Sequence, residues 1–218
     1  MAFSASSSTT TFRKKCLPVT TFHGNSWMIA DSPQDNFETR LIGDSIIREQ
    51  LQEFCGRCPA TRKRFCIPGA RLRDITAACD EVTRDADTDT LLIIHAGTND
   101  VHCSNSEDLL EKFKLMIETY KTKTNRLVIS GILPRIDAGR DFYNKAYSTN
   151  NRLKALCLQV NVKFINLWDQ FYDEPALFHD DGLHLNKVGS ARFGRLINEQ
   201  VSLYRSKNAE RSGAPPTT

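Results

Sequence analysis

A serine, a histidine and an aspartate at separate places in the chain have the types and settings that acyl transfer needs. Ser45 stands in "LIGDSIIRE" (Leu41 to Glu49), where an apolar run ends at Gly43 and an acid precedes the hydroxyl. Two isoleucines and several charges follow, as at the start of a helix. A hydroxyl in that place can cap the helix. It can equally be a nucleophile at a strand-to-helix turn, its own backbone N–H directed outward at the helix start, ready for an anion. On this stretch alone both readings stand.

The segment "HDDGLHLN" offers a base and an orienting acid. Asp181 and His184 are close enough in sequence for one tight loop or turn to bring both to one side. A carboxylate on one imidazole nitrogen fixes the tautomer and leaves the other free to take a proton. Asp180 is a rival acid, and a solvated loop with an exposed histidine is the rival reading. Asn99, in "AGTND", brings a side-chain N–H donor, and Gly69, in "IPGAR", an unhindered backbone N–H. Both suit an oxyanion hole, and both residue types are common in turns. Asp100 reads as structural, capping a helix or bracing its loop. His95 reads as packed at a strand end and His102 as a pocket-lining candidate, while His179 and His23 have no clear partner.

These residues need elements to position them. Apolar, β-branched runs predict five strands: Thr39 to Gly43, Arg64 to Ile67, Thr90 to His95, Arg126 to Ser130 and Val162 to Asn166. Continuous apolar strands suit a sheet buried on both faces, hence a parallel one. Helical spacing appears in three places: Leu109, Leu110, Phe113, Met116, Ile117 and Tyr120, after a capping box at Ser104 and Glu107; then Ala146, Tyr147, Leu153, Leu156, Cys157 and Val160; then Val188, Phe193, Leu196 and Ile197. Alternating strands and helices predict an α/β domain, a parallel sheet between two helical layers. The site of such a sheet lies beyond the carboxyl ends of its strands. Ser45, Gly69, Asn99 and Leu133-Pro134-Arg135 follow the first four strands, and "HDDGLHLN" follows the fifth.

The domain is expected over residues 37–205, with flexible segments before it (1–36, Ser/Thr-rich and basic) and after it (206–218). The start fits a linker or an organelle transit peptide, and the linker is the preferred reading. With 40% hydrophobic and 25% charged residues, the 218-residue chain has the composition of a globular protein. A net charge of +3 permits nucleic-acid contact without arguing for it. Arg13, Lys14 and Lys15, and the run Arg62 to Arg64, read as solvated basic faces. Seven scattered cysteines suit reduced thiols and a cytoplasmic setting. Cys55 and Cys58 form a lone C-x-x-C pair, which Cys66 and Cys79 would complete only with a spacing that matches no zinc template. Phe171, Tyr172 and Phe178 could wall an acyl pocket or belong to the core, and the loops from Ile132 to Asp141 and Trp168 to Phe178 are expected to shape it.

The ordered blocks "GDS" (Gly43 to Ser45), the glycine block at Gly69, "GTND" (Gly97 to Asp100) and "DGLH" (Asp181 to His184) resemble the SGNH, or GDSL-type, serine hydrolases. Ile46 stands where that signature has leucine, and "IPGAR" is the loosest match. The G-x-S-x-G elbow of the α/β-hydrolases is absent, since Ile47 stands at its last glycine. The resemblance runs from about Leu41 to Ile197. It implies a flavodoxin-like three-layer α/β/α fold and no metal or organic cofactor. It implies Ser45 as nucleophile, His184 as base, Asp181 rather than Asp180 as orienting acid, and an oxyanion hole of Ser45 N–H, Gly69 N–H and the Asn99 side chain. Acyl, acetyl or thioester bonds would be the substrates, lipid esters among them. More narrowly, "LIGDSIIR", "IPGARLRDI", "LLIIHAGTNDV" and "DGLHLNKVG" resemble the esterase domain of first-open-reading-frame proteins of vertebrate LINE retrotransposons. There, nucleic-acid binding and self-association belong to a longer protein. The rival functions are a retired hydrolase scaffold used for binding, and a domain whose main role is nucleic-acid association.

Overall fold

The computed structural model describes residues 37–212, with side chains through residue 206. The basic Ser/Thr-rich start, with Arg13, Lys14, Lys15, Cys16 and His23, lies outside the described residues, as does the end of the chain after Ser212. Five parallel strands, β1 (Thr39–Gly43), β2 (Arg62–Cys66), β3 (Leu91–His95), β4 (Arg126–Ser130) and β5 (Lys163–Ile165), form one sheet in the order β2-β1-β3-β4-β5. That order is the flavodoxin-like doubly wound one. Helices α1 (Gln50–Glu53), α2 (Leu72–Ala77), α3 (Cys79–Val82), α4 (Ser106–Lys121), α5 (Gly139–Gln159), α6 (Trp168–Phe171) and α7 (Lys187–Ser212) complete the domain.

Side chains alternate across a strand, so each strand feeds two cores. Ile42, Leu92, Ile94, Leu127 and Ile129 face α2 to α5 and pack with Leu72, Ile75, Phe113, Met116, Tyr120 and Leu153. Leu41, Leu91, Ile93 and Val128 face the other way, onto Ile47, Phe171 and the α7 residues Phe193, Ile197 and Val201. This double burial is why "LLIIH" is apolar throughout rather than alternating.

Several expectations are corrected. The second strand spans Arg62–Cys66, because Thr39 to Gly43 pair in register with Arg62 to Cys66. Of the run Arg62 to Arg64, Lys63 is exposed as expected, but Arg62 is not part of a solvated face. Arg62 is buried, its guanidinium 5.2 Å from the Phe54 ring centroid and bonded to Asn198 and to Phe54 O. Lys63 pairs with Glu38 at 2.7 Å, and Arg64 donates to Ile47 O at 3.1 Å. The predicted capping box before α4 does not form. Asn105 is the cap, its side chain accepting from Asp108 N at 2.8 Å. Ser104 accepts instead from Lys112 Nζ, and Glu107 makes a two-pronged pair with Arg152. Val188 is 62% exposed, because it lies nine residues from buried Ile197, half a turn out of phase on the same helix. Likewise Tyr147 is exposed on α5. The last helix runs unbroken to Ser212 in a stretch free of proline.

Cys58, Cys66, Cys79, Cys103 and Cys157 carry free thiols. Among the described residues no cluster of His, Cys, Asp or Glu is arranged to hold a metal ion, and no helix is long and apolar enough to cross a membrane.

Candidate active site

The parallel registers put Gly43, Cys66, His95 and Ser130 level at the carboxyl edge of the sheet. Gly43 is the tightest point. A Cβ there would lie 2.3 Å from His95 O, so the strand can carry no side chain where it turns toward Ser45. His95 itself is fully buried, as expected for a packed residue. Ser130 Oγ donates to Ile94 O at 3.1 Å, so the 2.8 Å contact with His95 is a donation from His95 Nδ1–H. The ring also meets Phe193 edge-on, and burial pushes the imidazole down to about 3.

After Gly43 the chain enters a 3-10 turn over Ser45–Glu49. Its cap is Asp44, whose Oδ1 accepts from Ile46 N at 3.0 Å. The capping role therefore falls on Asp44, and the Ser45 hydroxyl is left for another partner. That partner is His184, with Nε2 3.0 Å from Ser45 Oγ. On the other side of the ring, Nδ1 lies 2.6 Å from Asp181 Oδ2. Asp181 Oδ1 accepts from Leu183 N and His184 N, each at 2.9 Å, which fixes the loop that carries both residues. The His184 hydrogen bonds hold the Asp181 carboxyl well below the usual carboxylate range. Asp180 and His179 are exposed.

Gly69 and Asn99 lie in two adjoining loops. Ile67-Pro68-Gly69-Ala70 is a turn closed by Ala70 N to Ile67 O at 3.1 Å, with Gly69 at φ +73°. A type II turn demands such a φ at its third position and favours proline at its second. Asn99 Nδ2 donates to Ala70 O at 3.0 Å, tying this turn to the "GTND" loop. Asp100 is structural, as expected: its Oδ2 accepts from Leu72 N at 2.9 Å at the start of α2.

The aromatic wall does not form as a unit. Phe171 and Phe178 are buried in the core beneath α7, while Tyr172 stacks on Trp168 and meets Tyr143 edge-on. Of the two expected pocket loops, Ile132 to Pro134 are buried, and Arg135 and Ile136 are partly exposed.

Three residues that sequence reasoning gave no role support the site. Asp44 is one. Burial pushes its carboxyl up to about 6, against the Ile46 N–H and the nearby Arg135 charge, which pull it down. The aspartate before a serine at a strand end was a readable cap signal. Buried Asn150 on α5 is the second, accepting from Ile132 N at 2.8 Å and donating to Ile132 O at 2.9 Å. It holds the chain leaving β4, and nothing in its helical context signals that. Arg135 is the third.

A hydroxyl, imidazole and carboxylate stand in one hydrogen-bonded line at the carboxyl edge of a doubly wound five-stranded parallel sheet, an α/β fold that matches the SGNH hydrolases. The chain belongs to the GDSL-like lipase/acylhydrolase family, whose model matches residues 41–192. Among solved structures it is similar to a GDSL-like lipase from Bacteroides thetaiotaomicron, at 19% identity over 76% of this chain and 88% of that one, with a TM-score of 0.64. It is similar also to a carbohydrate esterase of family 3 from Talaromyces cellulolyticus, at 16% identity over 78% and 99%, with a TM-score of 0.61. A third similar structure is the esterase domain of the ZfL2-1 ORF1 protein from the zebrafish ZfL2-1 retrotransposon, at 28% identity over 76% and 99%, with a TM-score of 0.44. No curated protein matches the chain.

Proposed function

We propose that this chain is a serine esterase of short-chain acyl or acetyl esters. The observation that carries the reading is the line from Ser45 Oγ through the His184 ring to Asp181, with contacts of 3.0 and 2.6 Å. His184 Nε2 takes the Ser45 proton as Oγ attacks the ester carbonyl, and Asp181 holds Nδ1–H and stabilises the imidazolium. The tetrahedral oxyanion is received by Ser45 N–H, Gly69 N–H and Asn99 Nδ2–H, an arrangement supported by the Asn99 to Ala70 bond that joins their loops. His184 then gives its proton to the departing alcohol. Water, deprotonated by the same nitrogen, releases the acid from the acyl-serine.

A short acyl group is supported by the burial of Phe171 and Phe178, which leaves them unavailable as walls for a long chain. The free thiols of Cys58, Cys66, Cys79, Cys103 and Cys157 support a reducing compartment such as the cytoplasm. The phrases from "LIGDSIIR" to "DGLHLNKVG" support a setting within a retrotransposon-encoded protein, with residues 37–205 as its hydrolase domain. Nucleic-acid binding and self-association would belong to the longer protein, since Arg62 and Arg64 donate to backbone carbonyls and Lys63 is paired with Glu38.

A serine-reactive fluorophosphonate should label the native protein at Ser45, with labelling abolished in Ser45→Ala. A native protein that stays unlabelled, or a Ser45→Ala variant that still labels, contradicts the reading.

A further inference from the structure

Arg135 stands beside the triad without a part in the acyl-transfer steps. Its Nε and Nη2 donate to Thr98 Oγ1 and Thr98 O, both at 3.3 Å, and Nη1 lies 3.4 Å from His102 Nε2. The Phe142 ring backs the guanidinium at 5.1 Å and also meets His102 at 5.2 Å. Thr98 immediately precedes Asn99, and Ile136 N donates to Gly182 O at 2.9 Å, between Asp181 and His184 in sequence. The guanidinium is thus held on the loop that carries Asn99, while the backbone of the next residue, Ile136, is bonded to the loop that carries the base.

Its charge is poorly answered there. All three polar contacts are at the long limit of hydrogen bonding, and none is to a carboxylate. Asp181 spends both oxygens on His184 and Leu183; Asp44 spends Oδ1 on Ile46 N, and its buried Oδ2 makes no hydrogen bond to Arg135 or to any other group among the described residues. Those two carboxylates act on Arg135 only through space, and burial pushes the guanidinium pKa down. A partly desolvated cation with a five-donor fork and no close counter-ion is a receptor for a planar or tetrahedral oxyanion.

We infer that Arg135, backed by Phe142 and His102, is a specificity residue that receives an anionic group of the substrate, so that the preferred substrates are acyl esters bearing a carboxylate or phosphate near the ester bond. The inference rests on the esterase reading and names its substrate class.

Matched substrates test it: 4-acetoxybenzoate against neutral 4-acetoxybenzamide, and 1-acetylglycerol 3-phosphate against 1-acetylglycerol. Wild type should favour the anionic member of at least one pair by roughly tenfold or more in kcat/KM, the strength of one charge-assisted fork. Arg135→Gln should bring that ratio toward one, and Arg135→Glu should invert it. The same pairs are then bound to the Ser45→Ala protein and measured by calorimetry, which needs no turnover. A wild-type ratio near one for both pairs, or a ratio that survives in Arg135→Gln, overturns the inference while leaving the esterase reading intact. Should no ester be hydrolysed while the Ser45→Ala protein still binds the anionic member more tightly, the esterase reading falls and Arg135 stands as an anion site. If Arg135→Gln does not fold, competition in wild type decides: benzoate must inhibit roughly tenfold more strongly than benzamide, and equal inhibition overturns the inference.

Discussion

Asn99 Nδ2 donates to Ala70 O at 3.0 Å, and this bond ties the Asn99 loop to the turn that carries Gly69, the two loops proposed to supply oxyanion donors. An amide has two N–H donors, so one braces the loop and the other is free for the proposed oxyanion contact. Asn99→Ala should lower kcat by roughly 100- to 1,000-fold, the range for loss of one oxyanion donor. Steady-state kinetics on an acetyl ester check this, with KM moving much less than kcat. A change confined to KM would remove Asn99 from the oxyanion hole.

Asp181 and Asp180 are neighbours with opposite expectations. Both are exposed, but Asp181 fixes the His184 ring through a 2.6 Å contact. Asp181→Asn should cost about four orders of magnitude in kcat by stabilising the wrong tautomer. Asp180→Asn should stay within about twofold, since surface changes away from such contacts are usually near neutral. Parallel kinetics on the two variants decide between them, and a larger loss in Asp180→Asn would reassign the orienting acid.

Asn150 pairs with both the N–H and the C=O of Ile132. Asn150→Ala removes both partners from a buried peptide group and should destabilise by about 2–4 kcal/mol. Urea denaturation measures the loss. A change under about 0.5 kcal/mol, the scale of a neutral surface substitution, would mean that the loop after β4 is held by other contacts.

Much of this arrangement was legible in the sequence, for physical reasons that can be named. Strands β3 and β4 are buried on both faces, so their runs of Leu, Ile and Val read directly as strands. Ser45, Gly69, Asn99 and His184 could be brought together on paper because loops at the carboxyl edge of a parallel sheet converge. The start of β2 was missed because charged residues fill its first three positions, and Arg62 and Arg64 are answered by distant backbone carbonyls. Asn150 and Arg135 escaped a role because their partners, Ile132 and Thr98, become neighbours only once the sheet is built.

Two buried groups under the site oppose each other in pH. Burial pushes the His95 imidazole down to about 3, whereas an unfolded histidine titrates near about 6.5. Between those values the unfolded chain holds a proton that the native chain lacks, so stability falls as pH falls, by up to about 1.4 kcal/mol per unit. Burial pushes Asp44 up to about 6, against about 3.9 unfolded. Across that window the native chain holds the extra proton, so stability rises as pH falls. The two slopes offset each other between about pH 4 and pH 6. Asp44→Asn, which keeps an oxygen for Ile46 N, should therefore expose the His95 slope. Urea titrations at pH 4, 5 and 6 should show the variant losing stability relative to wild type as pH falls. A difference that is constant across the three, or that runs the other way, contradicts the assignment.

The central claim is that Ser45 forms the acyl-enzyme. It is tested most directly by hydrolysis of a series of 4-nitrophenyl esters, from acetate to laurate, with wild type and Ser45→Ala side by side. Wild type should be fastest on the shortest chains, and Ser45→Ala should be slower by roughly four or more orders of magnitude on every chain, as removal of a triad nucleophile requires. Turnover by Ser45→Ala equal to that of wild type would contradict it.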